Sequence, residues 1–312
     1  MIARRTWIAG VSAVAAGGAA RPVRAQAAPV RIATTAAETY AQPFYAEDQG
    51  LFAKAGIPVT ISLLANGASV STAVAGGAAD VGVTSTVTLG NAVEHGIAFV
   101  AIAPCALSTA EAPAGLLCVL KSSTAKGAKD FEGATIAVPS LKQSADLAVR
   151  AWLLQGGADV AKVRIIEVPF NAMGDGLDRG QFAAAYLSDP ALTNTLRKYD
   201  VRRLADASAA VAPRSMVAAW FTTQTYLQAN GDAVRRVAAA LSEAGRWANA
   251  HHNESALIVS RVGKIDLDVI QSETRTVYGE SLSAAELQPQ LDAALKVGFL
   301  TRPVKAAEFL PR

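Results

Sequence analysis

The chain has 312 residues, 51% hydrophobic and 18% charged, enough apolar material for the core of one large domain or two ordinary ones. Its formal net charge of +3 comes from the first 27 residues, where Arg4, Arg5, Arg21 and Arg24 stand without any acid. Taking those four charges away leaves −1, so no basic patch argues for nucleic acid, and no later run is long and apolar enough to span a bilayer.

The N-terminal stretch "MIARRTWIAGVSAVAAGGAARPVRAQA" has a charged start, a short Gly- and Ala-rich apolar middle and a small-residue site at Ala25-Gln26-Ala27. That layout predicts an export signal over residues 1–27 and a soluble mature protein in the periplasm, starting close to Ala28. Arg4-Arg5 followed by Thr6-Trp7-Ile8 resembles a twin-arginine signal, with the general secretory route as the alternative. Two cysteines, Cys105 and Cys118, make no disulfide framework, and "GLLCVL" places the second in an apolar run.

From Val30 onward short β-rich runs alternate with helical ones. "VRIATT" predicts a strand, and "YAQPFYAEDQGLFAKAG" a helix stopped at Gly56. Then come strand "VTISLLA", helix "SVSTAVAGG", strand "DVGVT", helix "TVTLGNAVEHG" and strand "AFVAIAP". A loop containing "STAEAPAG" follows, and the alternation resumes. "GLLCVL" precedes a strand at Ala134 to Val138, a helix from about Gln143 to Gly156, strand "KVRIIEV", short helix "GDGLDRG" and strand "FAAAYLS". "SMVAAWF" is a further apolar run, and the rest from Thr222 reads as helices with a loop near Gly263. Such alternation predicts mostly parallel sheets flanked by helices. "SVSTAVAGGAADVGVTST" and "NAMGDGLDRGQFAAAYLSDP" share one plan (helix, glycine stop, strand, polar exit), which argues for two similar lobes.

In open parallel sheets, ligands bind at the carboxyl ends of strands, where helix N-termini also point. The exits are Thr34-Thr35, Asn66-Gly67-Ala68 and Thr84-Ser85-Thr86 in the first half. In the second half they are Ser140 to Ser144, with Lys142 and Gln143, then Asn171 and Asp189. Any single Ser or Thr here also suits a helix N-cap, but every exit carries a polar group. Tyr40, Tyr186 and Trp220 are aromatic candidates for stacking.

Catalytic and metal readings find no residues to name. His251 and His252 are adjacent and point about 100° apart on a helix, and His95 precedes a glycine at a helix end. The nucleophile-elbow, phosphate-loop, dinucleotide and zinc-protease motifs are absent. No cofactor and no metal site are expected.

The segment "PFYAEDQGLFAKAGIPVTISLLANGASVSTAVAGGAADVGVTST" resembles the first-lobe signature of solute-binding proteins of the nitrate/sulfonate/taurine and thiamine-pyrimidine-precursor group. The matching positions are Tyr45, Ala46, Gly50, Leu51, Phe52, Gly56, Ile57, Val59, Gly67, Gly77, Asp80 and Val81. "GATIAVPS", "VPFNAM" and "YLSDPALT" resemble the group's later motifs. The resemblance implies an α/β, two-lobed periplasmic binding protein fold of type II, with a ligand cleft between lobes that close by hinge motion. It further implies a monomeric, non-enzymatic receptor that takes a small polar or anionic organic solute to the permease of an ABC importer. A Cys-rich iron motif of pyrimidine-synthesising relatives is absent. A ligand sensor for a membrane signalling partner is the alternative, and an enzyme on the same fold a weaker one.

Two departures bear on the ligand. Asp189-Pro190 stands where Glu-Pro is frequent, and Glu38 in the first loop would repel a simple anion if it faced the cleft, with Lys142 as a possible offset. The expected division is lobe one over 28–110 and 217–312 and lobe two over 111–216, with crossovers near "GLLCVL" and "SMVAAWF".

Overall fold

The computed structural model describes residues 28–311, so the export-signal reading lies outside the described residues. The first sheet is built from β1 (Val30–Thr34), β2 (Val59–Leu63), β3 (Val81–Ser85) and β4 (Phe99–Pro104). The chain runs on through β5 (Ala106–Thr109) into β6 (Leu116–Leu120), β7 (Thr135–Val138), β8 (Arg164–Glu167), β9 (Ala184–Leu187) and β10 (Val201–Ala205). It returns through β11 (Arg214–Met216) and β12 (Ala218–Thr223), and β13 (Val277–Tyr278) lies near the end.

The strand orders are β2-β1-β3-β12-β4 and β10-β6-β9-β7-β8, with a small third sheet β11-β5-β13. Within the first sheet β1 is parallel to β2 and β3, while β12 is antiparallel to β3 and β4. Within the second, β7 is parallel to β8 and β9, and β6 is antiparallel to β9 and β10. Each sheet therefore has one reversed strand among parallel ones, and the two echoing sequence segments end in equivalent strands, β3 and β9. Both sheets are flanked by helices, which is the α/β, two-lobed binding-protein architecture.

Strands buried on both faces read as continuous apolar runs. In β12, Trp220 joins one core with Ile32, Val83 and Tyr45, while Ala219 and Phe221 join another with Val70, Val74 and Leu89. In β9, Tyr186 faces a core with Ile136 and Leu153, and Ala185 and Leu187 face one with Met173 and Leu177. Gly82 in β3 shows why small residues fill this region. A Cβ there would lie 2.6 Å from Val70 and 2.8 Å from Val74, so the helix Gly67–Ala75 sits directly on the strand backbone. Asp80 fixes the same edge, accepting from the Arg31 backbone N–H at 2.8 Å and from its guanidinium at 2.6 and 3.0 Å.

Several elements differ from the sequence expectation. The first helix is two, Gln42–Asp48 and Leu51–Lys54, because Gly50 adopts φ +64° between them. The expected short helix at "GDGLDRG" starts earlier and spans Phe170–Asp178. The apolar run "LLCVL" lies inside the second sheet as its reversed strand, and the chain crosses at β5, which was expected as loop. After β12 the chain forms a long helix, Gln224–Ala250, with non-helical backbone at Asn230, and β13 interrupts the C-terminal helices. Cys105 and Cys118 are both free and buried, and burial pushes each thiol up to about 12. No helix among the described residues is long and apolar enough to cross a membrane.

Candidate functional site

The carboxyl ends of the parallel strands of both sheets open onto one cavity of about 470 Å³, well inside the range of roughly 300–1,000 Å³ typical of small-molecule sites. Thr35, Asn66, Gly67 and Ser85 line it from the first sheet's exits, and Ser140, Gln143, Ser144 and Asn171 from the second's. Tyr40 and Tyr186 also line it, while Leu64, Phe170 and Val217 add apolar surface. None of the described lining residues carries a charge.

Four helix starts converge on this space. Asn66, Ser85, Gln143 and Pro169 are the N-cap residues of helices Gly67–Ala75, Thr86–Glu94, Ser144–Gln155 and Phe170–Asp178, and all four line the cavity. Asn66 Oδ1 accepts from the Ser69 N–H at 2.9 Å, and Ser85 Oγ accepts from the Thr88 N–H at 3.1 Å. Gln143 and Pro169 make no such side-chain cap. Uncapped N–H groups carry partial positive charge and attract acceptors or anions. The Gln143 side chain reaches instead toward the opposite wall, where a Cβ on Gly67 would stand 3.0 Å from its Oε1. A methyl group there would push the Gln143 amide back by a few tenths of an ångström. Ser144 Oγ donates to the Val217 carbonyl at 2.7 Å, tying the second wall to the start of β12.

Two lining residues hold polar atoms without a hydrogen-bond partner. Ser140 is 4% exposed with Oγ unpartnered, and Gln290 is 2% exposed with Oε1 unpartnered. Tyr186 is satisfied internally, its hydroxyl 2.9 Å from Ser208 Oγ, and burial raises its pKa.

The remaining expected residues lie off the cavity. Thr34 is buried and donates to the Tyr40 carbonyl at 2.9 Å. Thr84 sits behind Gly67, accepting from Ser71 Oγ at 2.9 Å. Thr86 donates to the Met216 carbonyl at 2.7 Å, and Ala68 is exposed on its helix. Lys142 takes a left-handed backbone, φ +56°, so that its N–H reaches Asp146 at 2.8 Å, and its side chain does not line the cavity. Asp189 Oδ1 is occupied by the Thr193 hydroxyl at 2.7 Å and N–H at 3.0 Å, which holds it beside the cavity. Trp220 is core, donating to Gln42 Oε1 at 2.7 Å.

Glu38 corrects the electrostatic expectation. It is 2% exposed and paired with the Arg275 guanidinium, whose Nε donates at 2.6 Å, and with the Thr276 N–H at 3.2 Å. Its charge is neutralised inside the first lobe and does not face the cavity. Glu273 lies beside that pair, its Oε1 3.8 Å from Arg275 Nε, with neither carboxylate oxygen hydrogen-bonded. Burial, then Glu38 and Asp189, hold its carboxyl well above the ordinary range.

Sequence reasoning missed Thr39, Phe170, Ser188, Ser208 and Gln290. Ser188 and Phe170 adjoin the strand exits named from the sequence. Gln290 had a different signal: it occupies the buried face Leu287–Leu291–Ala294 of helix Ala284–Lys296, where a polar residue is out of pattern.

The sequence matches the family model described as "NMT1/THI5 like" over residues 38–255. The chain belongs to that family. No curated protein matches it in sequence. Among solved structures it is similar to the periplasmic aliphatic sulphonate binding protein SsuA from Escherichia coli, with TM-score 0.74, 18% identity, and 91% of this chain and 92% of that one covered. The alkanesulfonate-binding protein SsuA from Xanthomonas axonopodis pv. citri, bound to MOPS, gives TM-score 0.77 at 17% identity, covering 92% and 99%. The periplasmic nitrate-binding protein NrtA from Synechocystis PCC 6803 gives 0.74 at 14%, covering 90% and 84%. A desulfurization enzyme, DSZB, shares the fold at TM-score 0.66 and 13% identity. At these identities the structural matches establish the fold.

Proposed function

We propose that this chain is the exported solute-binding component of an ABC importer, capturing one small organic solute between its lobes and handing it to a membrane permease. The observation that carries the reading is the cavity itself, where four helix starts and neutral hydroxyl and amide groups meet across two similar lobes. Such groups hold a polar or anionic end by hydrogen bonds without reacting with it. Leu64, Phe170 and Val217 leave room for an organic body, which favours a sulfonate, carboxylate or heterocycle over an ion as small as nitrate.

DSZB shows that the fold also carries chemistry, so a binding role rests on the site. The described lining residues offer hydroxyls and amides but no carboxylate, imidazole, amine or thiol, and both cysteines are buried in the cores. We take 28–110 with 217–312, and 111–216, as the bodies that close, turning about the crossings at β5 and β11. The chain acts as a periplasmic monomer exported by the signal at 1–27.

A thermal-shift screen of sulfonates, aromatic carboxylates, pyrimidines and nitrate tests the reading, since a ligand that binds the native state raises the midpoint. A concentration-dependent rise with an organic member, and its recovery unchanged, is the expected result. Conversion of that compound by the protein would replace the receptor reading with an enzyme.

A further inference from the structure

We propose that Gln290 is a specificity residue of the cleft and that the captured solute presents an N–H or O–H donor to its Oε1, in addition to the acceptor or anionic end held at the helix starts. The proposal rests on the receptor reading above and narrows its ligand class.

Gln290 comes from the C-terminal helix Ala284–Lys296, outside every strand exit, yet it lines the cavity. Its Nε2 donates to Ser215 Oγ at 2.9 Å, and this amide orientation leaves Oε1 as the free atom. The residue is 2% exposed, so water does not satisfy that oxygen from bulk. Its helix neighbours Leu287, Leu291 and Ala294 are buried apolar residues, and an apolar side chain would fit the same stripe. Buried polar groups are almost always paired, and an unpartnered acceptor on a residue that lines a cavity points to a partner that arrives with the ligand. Ser140 Oγ, also buried and unpartnered, lines the same space and is able to donate or accept. Gln290 Oε1 only accepts. Nitrate and simple alkanesulfonates have no donor at neutral pH, whereas amino-, hydroxy- or ring-NH-bearing solutes do. A site built around a buried hydrogen-bonding group rejects isosteres that lack the complement, because its own group is left stranded.

The test uses isosteric pairs of equal charge that differ in the donor: isethionate with propane-1-sulfonate, sulfanilate with toluene-4-sulfonate, and 4-aminobenzoate with 4-methylbenzoate. Affinities are measured by calorimetry on the mature protein, on Gln290→Leu and on Gln290→Glu. Wild type is expected to favour the donor-bearing member of at least one pair by about tenfold or more. Gln290→Leu should erase that preference, and Gln290→Glu, which keeps an acceptor in place, should retain or enlarge it. Should Gln290→Leu fail to fold, the wild-type and Gln290→Glu comparison still decides. Equal binding within every pair, or loss of the preference in Gln290→Glu, overturns the assignment while leaving the receptor reading intact. The second result would mean that the amide faces the cavity with its donor. Absence of binding by all six compounds and by the broader screen overturns both.

Discussion

The two walls of the cleft share a strand plan but use their polar residues differently. On the first wall the exits are locked by bonds within the lobe: Thr34 to Tyr40, Thr84 to Ser71, Asn66 to Ser69, Ser85 to Thr88, and Glu38 to Arg275. On the second wall the helices starting at Ser144 and Phe170 lack side-chain caps, Gln143 extends across the gap, and Ser140 has no partner. A polar residue at a strand end is thus either committed to the scaffold or left over for a guest. The difference predicts that substitutions at the bonded exits of the first wall chiefly cost stability, while those at the unbonded Ser140 and Gln143 of the second chiefly cost binding.

The sharpest way to break this contrast is Arg275→Ala. It strands the buried Glu38 carboxylate, and removing one partner of a buried pair costs about 3–5 kcal/mol. Chemical denaturation should show that loss; a variant as stable as wild type would mean that Glu38 reaches solvent or the cleft. Gly82→Ala comes next, since its methyl group would meet Val70 at 2.6 Å and Val74 at 2.8 Å. Overpacking of this kind costs about 1–3 kcal/mol, read from the shift of the urea midpoint. Asn66→Ala removes a cap worth about 1 kcal/mol, whereas Gln143→Ala, with no cap to lose, should stay within about 0.5 kcal/mol of wild type. Equal destabilisation by the two would erase the distinction between the walls.

Glu273 adds a pH signature to the first lobe. Its folded pKa lies above the ordinary value of 4.5, so the folded state holds a proton that the unfolded state releases as pH rises. That contribution is complete below pH 4.5 and declines as pH climbs toward the raised folded value. Glu273→Gln should therefore flatten the fall in stability between acid and alkaline pH. An unchanged slope would show that Arg275, 3.8 Å away, or solvent keeps the carboxyl ionised in the folded state.

Much of this was legible in the sequence, and for physical reasons. Runs such as "VRIATT" and "FAAAYLS" announce buried strands, and the rule that ligands sit past strand ends selects Asn66, Ser140 and Gln143, which line the cavity, without any catalytic motif. Glu38 and Thr84 were misplaced because their partners, Arg275 and Ser71, are chosen by tertiary packing and not by local pattern. Asp189 is turned aside by Thr193, four residues on, a bond that leaves no periodic trace. Gln290 lies far from the exits in the chain and is missed by that rule; its one mark in the sequence is a polar residue on a buried helical stripe. The strand β5 is short and continues β4 past Cys105, so composition alone reads it as loop.

The most direct test is titration calorimetry of the mature protein and of Gln143→Ala with the strongest binder from the screen, alongside their melting midpoints. We expect one site per chain in the wild type and, in the variant, binding weaker by about two- to tenfold at an unchanged midpoint, the loss of one neutral hydrogen bond. Identical affinities for the two proteins would place the solute outside the cleft and contradict the account.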